Sequence, residues 1–297
     1  MAIGLDLTLS GLALGSAYAL VAMGFVLILN ATSSVIFAQG DLVVAGGYLA
    51  IALTRLLPDQ FSDIGVLTIP ALVIGTAIFG LFVSAIAYFP LAKRPPTAIF
   101  VSTIALGIIL QNAFLQLSGP EARVGPALLG PVGQRLTASD LSLPLQDIAV
   151  ILTAFFAAFL LHRLLYSSQF GRRMRAAASD PEMARAVGVR VTRMIAVSFA
   201  LAVALAGLAG LLLSHRYFVS PGDGSALMLK AYIAVTLGGW GRLWGAGLGA
   251  FIVAGFEIGV AWFVGFPIAE IALYCFALLV LMVRPQGIFG EPEGRRV

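Results

Sequence analysis

Residues 7–40, LTLSGLALGSAYALVAMGFVLILNATSSVIFAQG, form an uncharged run that separates Asp6 from Asp41. One straight crossing of a bilayer takes about 20 apolar residues, so this run of 34 is too long for a single helix. No basic cluster precedes the run, as it would in a signal peptide. The chain is therefore expected to begin with a membrane helix and not with a cleaved leader.

The polar cluster at 30–34 interrupts the run, and Gly40 closes it. Irregular backbone at membrane depth is tolerated only where it is buried in protein or lines a cavity. The pattern predicts a helix over about 8–29, a broken or re-entrant stretch near 30–41, and a further helix over about 41–56.

The whole composition agrees with a membrane protein. Of 297 residues, 60% are hydrophobic and 11% are charged, and the mean hydropathy is +1.00. Soluble domains keep about a quarter of their residues charged. The fold class predicted is an all-α polytopic membrane helix bundle, a single transmembrane domain over 1–297 with about eight spanning segments. The later apolar segments are 64–92, 97–118, 145–165, 194–214, 226–241, 243–264 and 267–284.

Several classes of function lack their motifs. Cys275 is the single cysteine, and the two histidines, His162 and His215, have no metal-ligand spacing. No basic stripe interleaved with aromatics indicates nucleic acid. Neither Lys93 nor Lys230 follows a glycine, so there is no phosphate-binding GxxxxGK[ST] loop. With no nucleophile and base set together, the sequence predicts neither an enzyme nor a metal site.

Basic residues predict the topology through the positive-inside bias. Residues 163–193 hold seven Arg against two acids and are expected in the cytoplasm. Alternation then places 119–145 outside and the tail after Arg284 inside. The N-terminus lies outside if every segment crosses, or inside if the 30–41 stretch is re-entrant; the sequence favours inside.

The basic segment RRMRAAASDPEMARAVGVRVTR, residues 172–193, contains signals for a short helix. Asp180 or the serine before it can cap the helix start, Pro181 suits the first turn, and Gly188 is a natural stop. A helix of about two turns is marginal alone and must pack against something. It is either a connector with its arginines on anionic lipid or a docking helix for a cytoplasmic partner.

This segment resembles the coupling segment of ABC-importer permeases, and the chain is similar to the branched-chain amino-acid ABC permease family. The resemblance rests on GLALGSAYALVAMGFVLI, VIFAQGDLVVAGGYLA, GRRMRAAASDPEMARAVGV, KAYIAVTLGGWGRLWGAGLGAFIVAGFE and LVLMVRPQGIFG, which follow the family's order over well over half of the chain. One departure is Gln39, where family members often carry His; this residue either touches substrate or braces the break.

The resemblance implies a permease subunit in a bacterial-type inner membrane that imports branched-chain or other small amino acids. Its partners would be a second, homologous but non-identical permease, two cytoplasmic ATPases that bind ATP and Mg²⁺, an extracytoplasmic binding protein, and membrane lipid. Urea or short amides are alternative substrates. The residues expected to couple to the ATPases are Asp180, Pro181, Glu182, Ala184, Arg185 and Gly188.

Polar residues inside apolar segments are costly and usually face a cavity or a partner. Glu257 is either functional or a hydrogen-bonding anchor between helices, and Asp41 either binds substrate or caps its helix. Lys230 and Glu270 lie near helix ends and are expected to reach the interface. In an ion-coupled transporter or channel, the alternative class, Glu257 and Asp41 would bind a proton or cation. The candidate pathway residues are Phe37, Gln39, Gly40, Asp41, Gln111, Asn112 and Glu257.

Overall fold

A computed structural model describes residues 2–56, 65–129, 135–138, 141–217, 219–284 and 286–288. Within them lie eleven α-helices and one two-stranded antiparallel hairpin, so the predicted all-α class is confirmed. The hairpin pairs β1 (Arg135–Ala138) with β2 (Leu141–Pro144). The helices are α1 (Ala2–Thr32), α2 (Gln39–Thr54), α3 (Ile69–Val83), α4 (Pro96–Ser118), α5 (Leu145–Ser167), α6 (Gln169–Ser179), α7 (Pro181–Ala186), α8 (Val191–Tyr217), α9 (Gly224–Gly238), α10 (Leu243–Val264) and α11 (Phe266–Val283).

Seven helical stretches in the described part of the chain are long and apolar enough to cross a membrane. They are α1, α4, α5, α8, α10, α11 and the stretch Gly65–Leu91, in which short 3-10 and π turns extend α3. The predicted number was about eight. Of the nine apolar segments that the sequence analysis placed, the two outside this set of seven are α2 and α9, whose 16 and 15 residues span only about 22–24 Å of a core that is about 30 Å thick.

The centre of the bundle is formed by α1 and α8, whose most apolar stretches are 89% and 72% buried. Small residues let the backbones of α2 and α8 touch. A Cβ added to Gly46 would overlap the Cα of Gly207, and one added to Gly210 would overlap the carbonyl of Val43. Because lipid provides no hydrophobic drive between helices, this close approach is a main source of packing energy.

Gly46→Ala is expected to destabilise the protein by about 1–3 kcal/mol, because the obstructing atoms belong to the backbone of α8 and cannot rotate away. The matched control is Gly255→Ala on α10, where an added Cβ meets nothing within 4 Å. Thermal unfolding of both variants in one detergent measures the difference. Equal midpoints for the two variants would contradict the close approach of α2 and α8.

The predicted break is present at residues 33–38, between α1 and α2. Ser33 has a φ of +53°, and the residues that follow it are buried or half-buried. The Phe37 N–H donates to Thr103 Oγ1 at 3.2 Å, so a side chain of α4 satisfies one backbone group of the irregular stretch. The break is therefore buried in protein, as irregular backbone at membrane depth requires.

Contacts at both ends of α1 fix its direction. Near its start, Ser10 Oγ accepts a hydrogen bond from Arg216 at 2.7 Å, and Arg216 pairs with Asp147 in the first turn of α5. Near its other end, Asn30 Nδ2 donates to the Gly241 carbonyl at 2.9 Å. The start of α1 therefore lies with the start of α5, at the end of the bundle opposite to α6 and α7.

The favoured placement of the N-terminus, on the same side as residues 163–193, is therefore wrong. The chain reverses direction at the break, because α2 runs back towards the end at which α1 starts, where Tyr48 Oη donates to the Val219 carbonyl at 3.5 Å. The residues after α11 return to the end that carries α6 and α7. There the Ile288 N–H donates to the Leu237 carbonyl at 2.7 Å, beside the turn before α10.

Candidate functional site

Asp41 lies where α2, α4 and α9 meet. A Cβ added to Gly107 of α4 would overlap Asp41 Oδ2, and one added to Gly224 of α9 would overlap Asp41 Oδ1. Gly40 itself lies against the carbonyl of Gly224. The three glycines leave just enough room for a half-buried carboxylate between three helices.

Two more of the predicted pathway residues share this location. The ring of Phe37 packs edge to face on Phe100 of α4, with the centroids 4.5 Å apart. Gln111 follows Gly107 by one turn of α4, is exposed, and has its Nε2 3.8 Å from the Cβ position of Gly222. We call the surface formed by Phe37, Gly40, Asp41 and Gln111 the pathway surface.

Gln39 does not belong to the pathway surface. Its side chain is fully buried, with Nε2 against Gly24 of α1 and the Ala202 carbonyl of α8 nearby. Neither atom of its amide group has a hydrogen-bond partner in the described part of the chain. The side chain of Gln39 therefore faces α1 and α8 beside the break.

Asn112 also lies apart from the pathway surface. It is exposed, and its Nδ2 donates to the Ile108 carbonyl of its own helix at 2.8 Å. An asparagine side chain inside a helix can hydrogen-bond to a backbone carbonyl of the preceding turn in this way.

Glu257 belongs to a buried ion pair. Its Oε1 accepts from Lys230 Nζ at 2.7 Å, and its Oε2 accepts from Tyr18 Oη at 3.2 Å. Lys230 Nζ also lies 3.4 Å from the same hydroxyl. The three side chains join α10, α9 and α1, an arrangement that an anchor between helices would have. The prediction that Lys230 reaches the interface is wrong, because its side chain is 13% exposed.

The sequence analysis did not predict a second ion pair, which joins Asp147 to Arg216. Asp147 is almost fully buried, and it lies within 3.4 Å of Ser10 Oγ as well as pairing with Arg216. The signal was available, because each residue stands at the end of a long apolar helix. A charged residue at a helix end usually lies at the membrane interface, so neither residue was expected to be buried. Only the fold shows that α1 lies beside both residues and that they pair with each other.

The predicted short helix is present as α7. Asp180 Oδ1 accepts from the N–H groups of Glu182 and Met183 at 2.9 and 3.0 Å, which caps the helix start. Pro181 occupies the first position. Gly188 has a φ of +84°, a left-handed conformation that favours glycine and ends the helix.

The two faces of α7 differ. Ala184 is 3% exposed and packs in a cluster with Ala177 and Val191, so it touches its own chain. Met183 and Val187 are 66% and 77% exposed, although both are large and apolar. We call Met183, Val187, Glu182 and Arg185, all exposed, the docking surface.

The sequence analysis did not predict α6, which precedes this helix. Its buried residues, Gly171, Met174 and Ala177, recur every three residues, and exposed arginines fill the other faces. That spacing was readable as an amphipathic helix. The charge of the segment obscured it.

The chain resembles known transport proteins along its full length. The profile of the family described as "Branched-chain amino acid transport system / permease component" matches residues 7–283. The high-affinity branched-chain amino acid transport system permease protein BraD of Pseudomonas aeruginosa is 30% identical over 97% of this chain and 96% of its own. The corresponding protein LivH of Escherichia coli K12 is 30% identical over the same shares, and a probable LivH of Methanocaldococcus jannaschii is 27% identical over 91% and 88%.

No solved structure matches the chain significantly. The matched proteins are transport permeases and not enzymes, which agrees with the missing catalytic motifs. The family profile covers all seven membrane-crossing stretches, the break and α7. The chain therefore belongs to the family of branched-chain amino acid transport permease components.

Proposed function

We propose that the chain is one membrane-spanning subunit of an ABC importer for branched-chain or other small amino acids. The observation that carries this is a short capped helix, α7, with large apolar side chains exposed on one face, in a chain of the permease family. Such a face is unfavourable in water unless a partner covers it. In the absence of a phosphate-binding loop in this sequence, that partner supplies the ATP hydrolysis.

The orientation in the membrane follows from charge. Residues 163–193 carry seven Arg and two acids, so α6 and α7 face the cytoplasm of a bacterial-type inner membrane. Residues 286–288 lie at the same end of the bundle, which supports the proposal that the tail after Arg284 is cytoplasmic as well. The start of α1, the hairpin and Arg123 then face the outside, where a binding protein would deliver the substrate.

In this proposal two permease subunits, homologous but non-identical, form the pathway, and two ATPases dock on their α7 helices. ATP and Mg²⁺ bind to the ATPases and not to this chain. ATP-driven movement of the docking surface shifts the helices between outward-open and inward-open arrangements. Transport requires the partners to contact these two states differently.

The pathway surface suits an amino acid. A substrate with an ammonium group can pair with the Asp41 carboxylate, and the Gln111 amide can donate to the substrate carboxylate. Phe37 adds apolar area for an aliphatic side chain. Urea and short amides, the alternative substrates, carry no ammonium group and would gain little from Asp41.

Asp41→Asn is expected to reduce uptake of leucine by about tenfold to a hundredfold, because a hydrogen bond to a charged group contributes about 1.5–3 kcal/mol. Glu270→Gln is the matched control. It removes a carboxylate that accepts from Tyr274 of its own helix at 3.1 Å, away from the pathway surface. Uptake by vesicles is compared at equal amounts of folded protein. Equal uptake by both variants would show that the Asp41 carboxylate does not bind the ammonium group of leucine.

In the ion-coupled alternative, Glu257 would be the main acid that binds a proton or cation. Glu257 is buried and paired with Lys230, so it is not available to bind a proton or cation in this structure. Asp41 alone remains for that role, and the family consists of permease components that belong to larger transport systems.

Affinity purification of the tagged full chain from gently solubilised membranes tests the proposed function. We expect ABC ATPases and a second permease to co-purify in stoichiometric amounts. Recovery of the chain without an ATPase, under conditions in which uptake still works, would refute the proposal.

A further inference from the structure

A cavity of about 480 Å³ lies at the end of the bundle that carries α6 and α7. It is enclosed by the end of α1, the corner between α5 and α6, and the turn that precedes α10. No carboxylate lines it in the described ranges of the chain. The polar residues that line it include Asn30, Tyr166, Arg175, Ser179, Arg242 and Trp244.

Arg175 is held at the wall of this cavity. One guanidinium N–H donates to the Leu165 carbonyl, and its Cζ lies 4.9 Å from the centroid of the Tyr166 ring. Both of these residues line the cavity. A guanidinium carries five N–H donors in a planar fork that matches the oxygens of a phosphate group.

Arg242 reaches the same cavity from a different part of the fold. Its turn is fixed by the hydrogen bond from Asn30 Nδ2 to the Gly241 carbonyl, which ties the end of α1 to the start of α10. Two positive side chains from separate elements therefore converge on one concave site, together with hydroxyl and amide groups. This combination of groups is complementary to an anion with several oxygens.

The cavity lies at the level expected for lipid headgroups. Tyr166 and Trp244 are exposed at the ends of α5 and α10, where membrane proteins concentrate tyrosine and tryptophan. His162 links them, with ring centroids 4.7 Å from Tyr166 and 5.1 Å from Trp244. The end of α5 and the start of α10 are therefore adjacent beside the cavity.

An apolar strip continues from this contact into the membrane. On α5, Phe159 and Phe155 stand three and seven residues before His162, and on α10, Leu248 and Phe251 stand four and seven residues after Trp244. These spacings keep each pair on the helix face that carries the contact. All four side chains are exposed, so both helices present apolar surface to the membrane below a positively charged cavity.

We propose that this cavity binds the phosphate of an anionic phospholipid, with Arg175 and Arg242 on the phosphate and the acyl chains along the strip on α5 and α10. Basic pockets between membrane helices on the cytoplasmic side recognise anionic headgroups in this way. A free phosphate shares the headgroup chemistry but makes no use of the strip. The inference does not depend on which substrate is transported.

The test uses the full chain, purified in a non-ionic detergent and titrated with phosphatidylglycerol or phosphatidylcholine. Native mass spectrometry counts the bound lipid. We expect phosphatidylglycerol to bind about tenfold or more tightly than phosphatidylcholine, and the Arg175→Gln/Arg242→Gln variant to lose that preference. Arg163→Gln, which removes an exposed charge at the end of α5 outside the cavity, is expected to keep it.

If the double variant does not fold, Arg242→Gln alone carries the test, with phosphatidylglycerol bound about tenfold more weakly. Inorganic phosphate is the competing probe, and it is expected to displace the lipid only at far higher concentration. Equal lipid preference in the variants, or displacement by phosphate at concentrations equal to the lipid, would overturn the proposal. So would a variant that keeps the lipid but loses ATPase co-purification, since the cavity would then belong to ATPase docking.

Discussion

Glu257→Gln is expected to destabilise the folded protein by about 3–5 kcal/mol, because it breaks a buried ion pair by removing one of its two charges. The substitution keeps the shape of the side chain and removes only its charge. It leaves Lys230, whose side chain is 13% exposed, without a counter-charge among α1, α9 and α10. The free energy of unfolding falls because the remaining charge stays buried without a partner.

The double variant Glu257→Gln/Lys230→Met is expected to recover most of this loss, because it removes the second charge and replaces it with an apolar side chain of similar length. Thermal unfolding of the parent, both single variants and the double variant completes the cycle. An anchoring role for Glu257 predicts that uptake per folded molecule stays near the parent's in the double variant. A stable single variant with abolished uptake would instead assign Glu257 to transport.

Met183→Glu combined with Val187→Glu is expected to reduce the ATPase that co-purifies with the chain by about tenfold or more. Both side chains are exposed on α7, and apolar anchors at the centre of an interface carry a large share of its binding energy. Burying two carboxylates there adds a desolvation cost. The amount of folded permease is expected to be unchanged, because neither side chain packs on its own chain.

Ala184→Arg provides the contrast within the same helix. Ala184 packs inside the chain against Ala177 and Val191, so an arginine there is expected to lower recovery of folded permease itself. Quantitative immunoblotting separates the two effects by reporting the ATPase-to-permease ratio and the total permease. A normal ratio in the Met183 and Val187 variant would show that the ATPase docks elsewhere.

The helices and the break could be predicted from the sequence because each depends on local properties. The uncharged run before Asp41 is too long for one crossing, and Asp180, Pro181 and Gly188 have clear positional preferences at helix ends. The element boundaries of α2 and α7 accordingly fall within a few residues of their predicted positions.

Side-chain partners could not be predicted, because they depend on which helices become neighbours. Lys230 and Glu257 are 27 residues apart and both pair with Tyr18 of the first helix. The same limit applied to Ala184, whose burial depends on α6 and α8, and to Gln39, which faces α1 and α8 and not the pathway surface. The favoured side of the N-terminus was wrong because the stretch near 30–41 was expected to break the simple alternation of segments, whereas α2 returns to the end at which α1 starts.

The most direct measurement of the central claim is leucine uptake into proteoliposomes that contain the purified complex of this chain with its co-purified ATPases and second permease. Binding protein and leucine are supplied on one side, and ATP with Mg²⁺ on the other. We predict uptake that requires ATP and the binding protein and that persists when proton and sodium gradients are collapsed. Uptake that proceeds without ATP and follows an imposed ion gradient would contradict an ABC permease and restore the ion-coupled alternative.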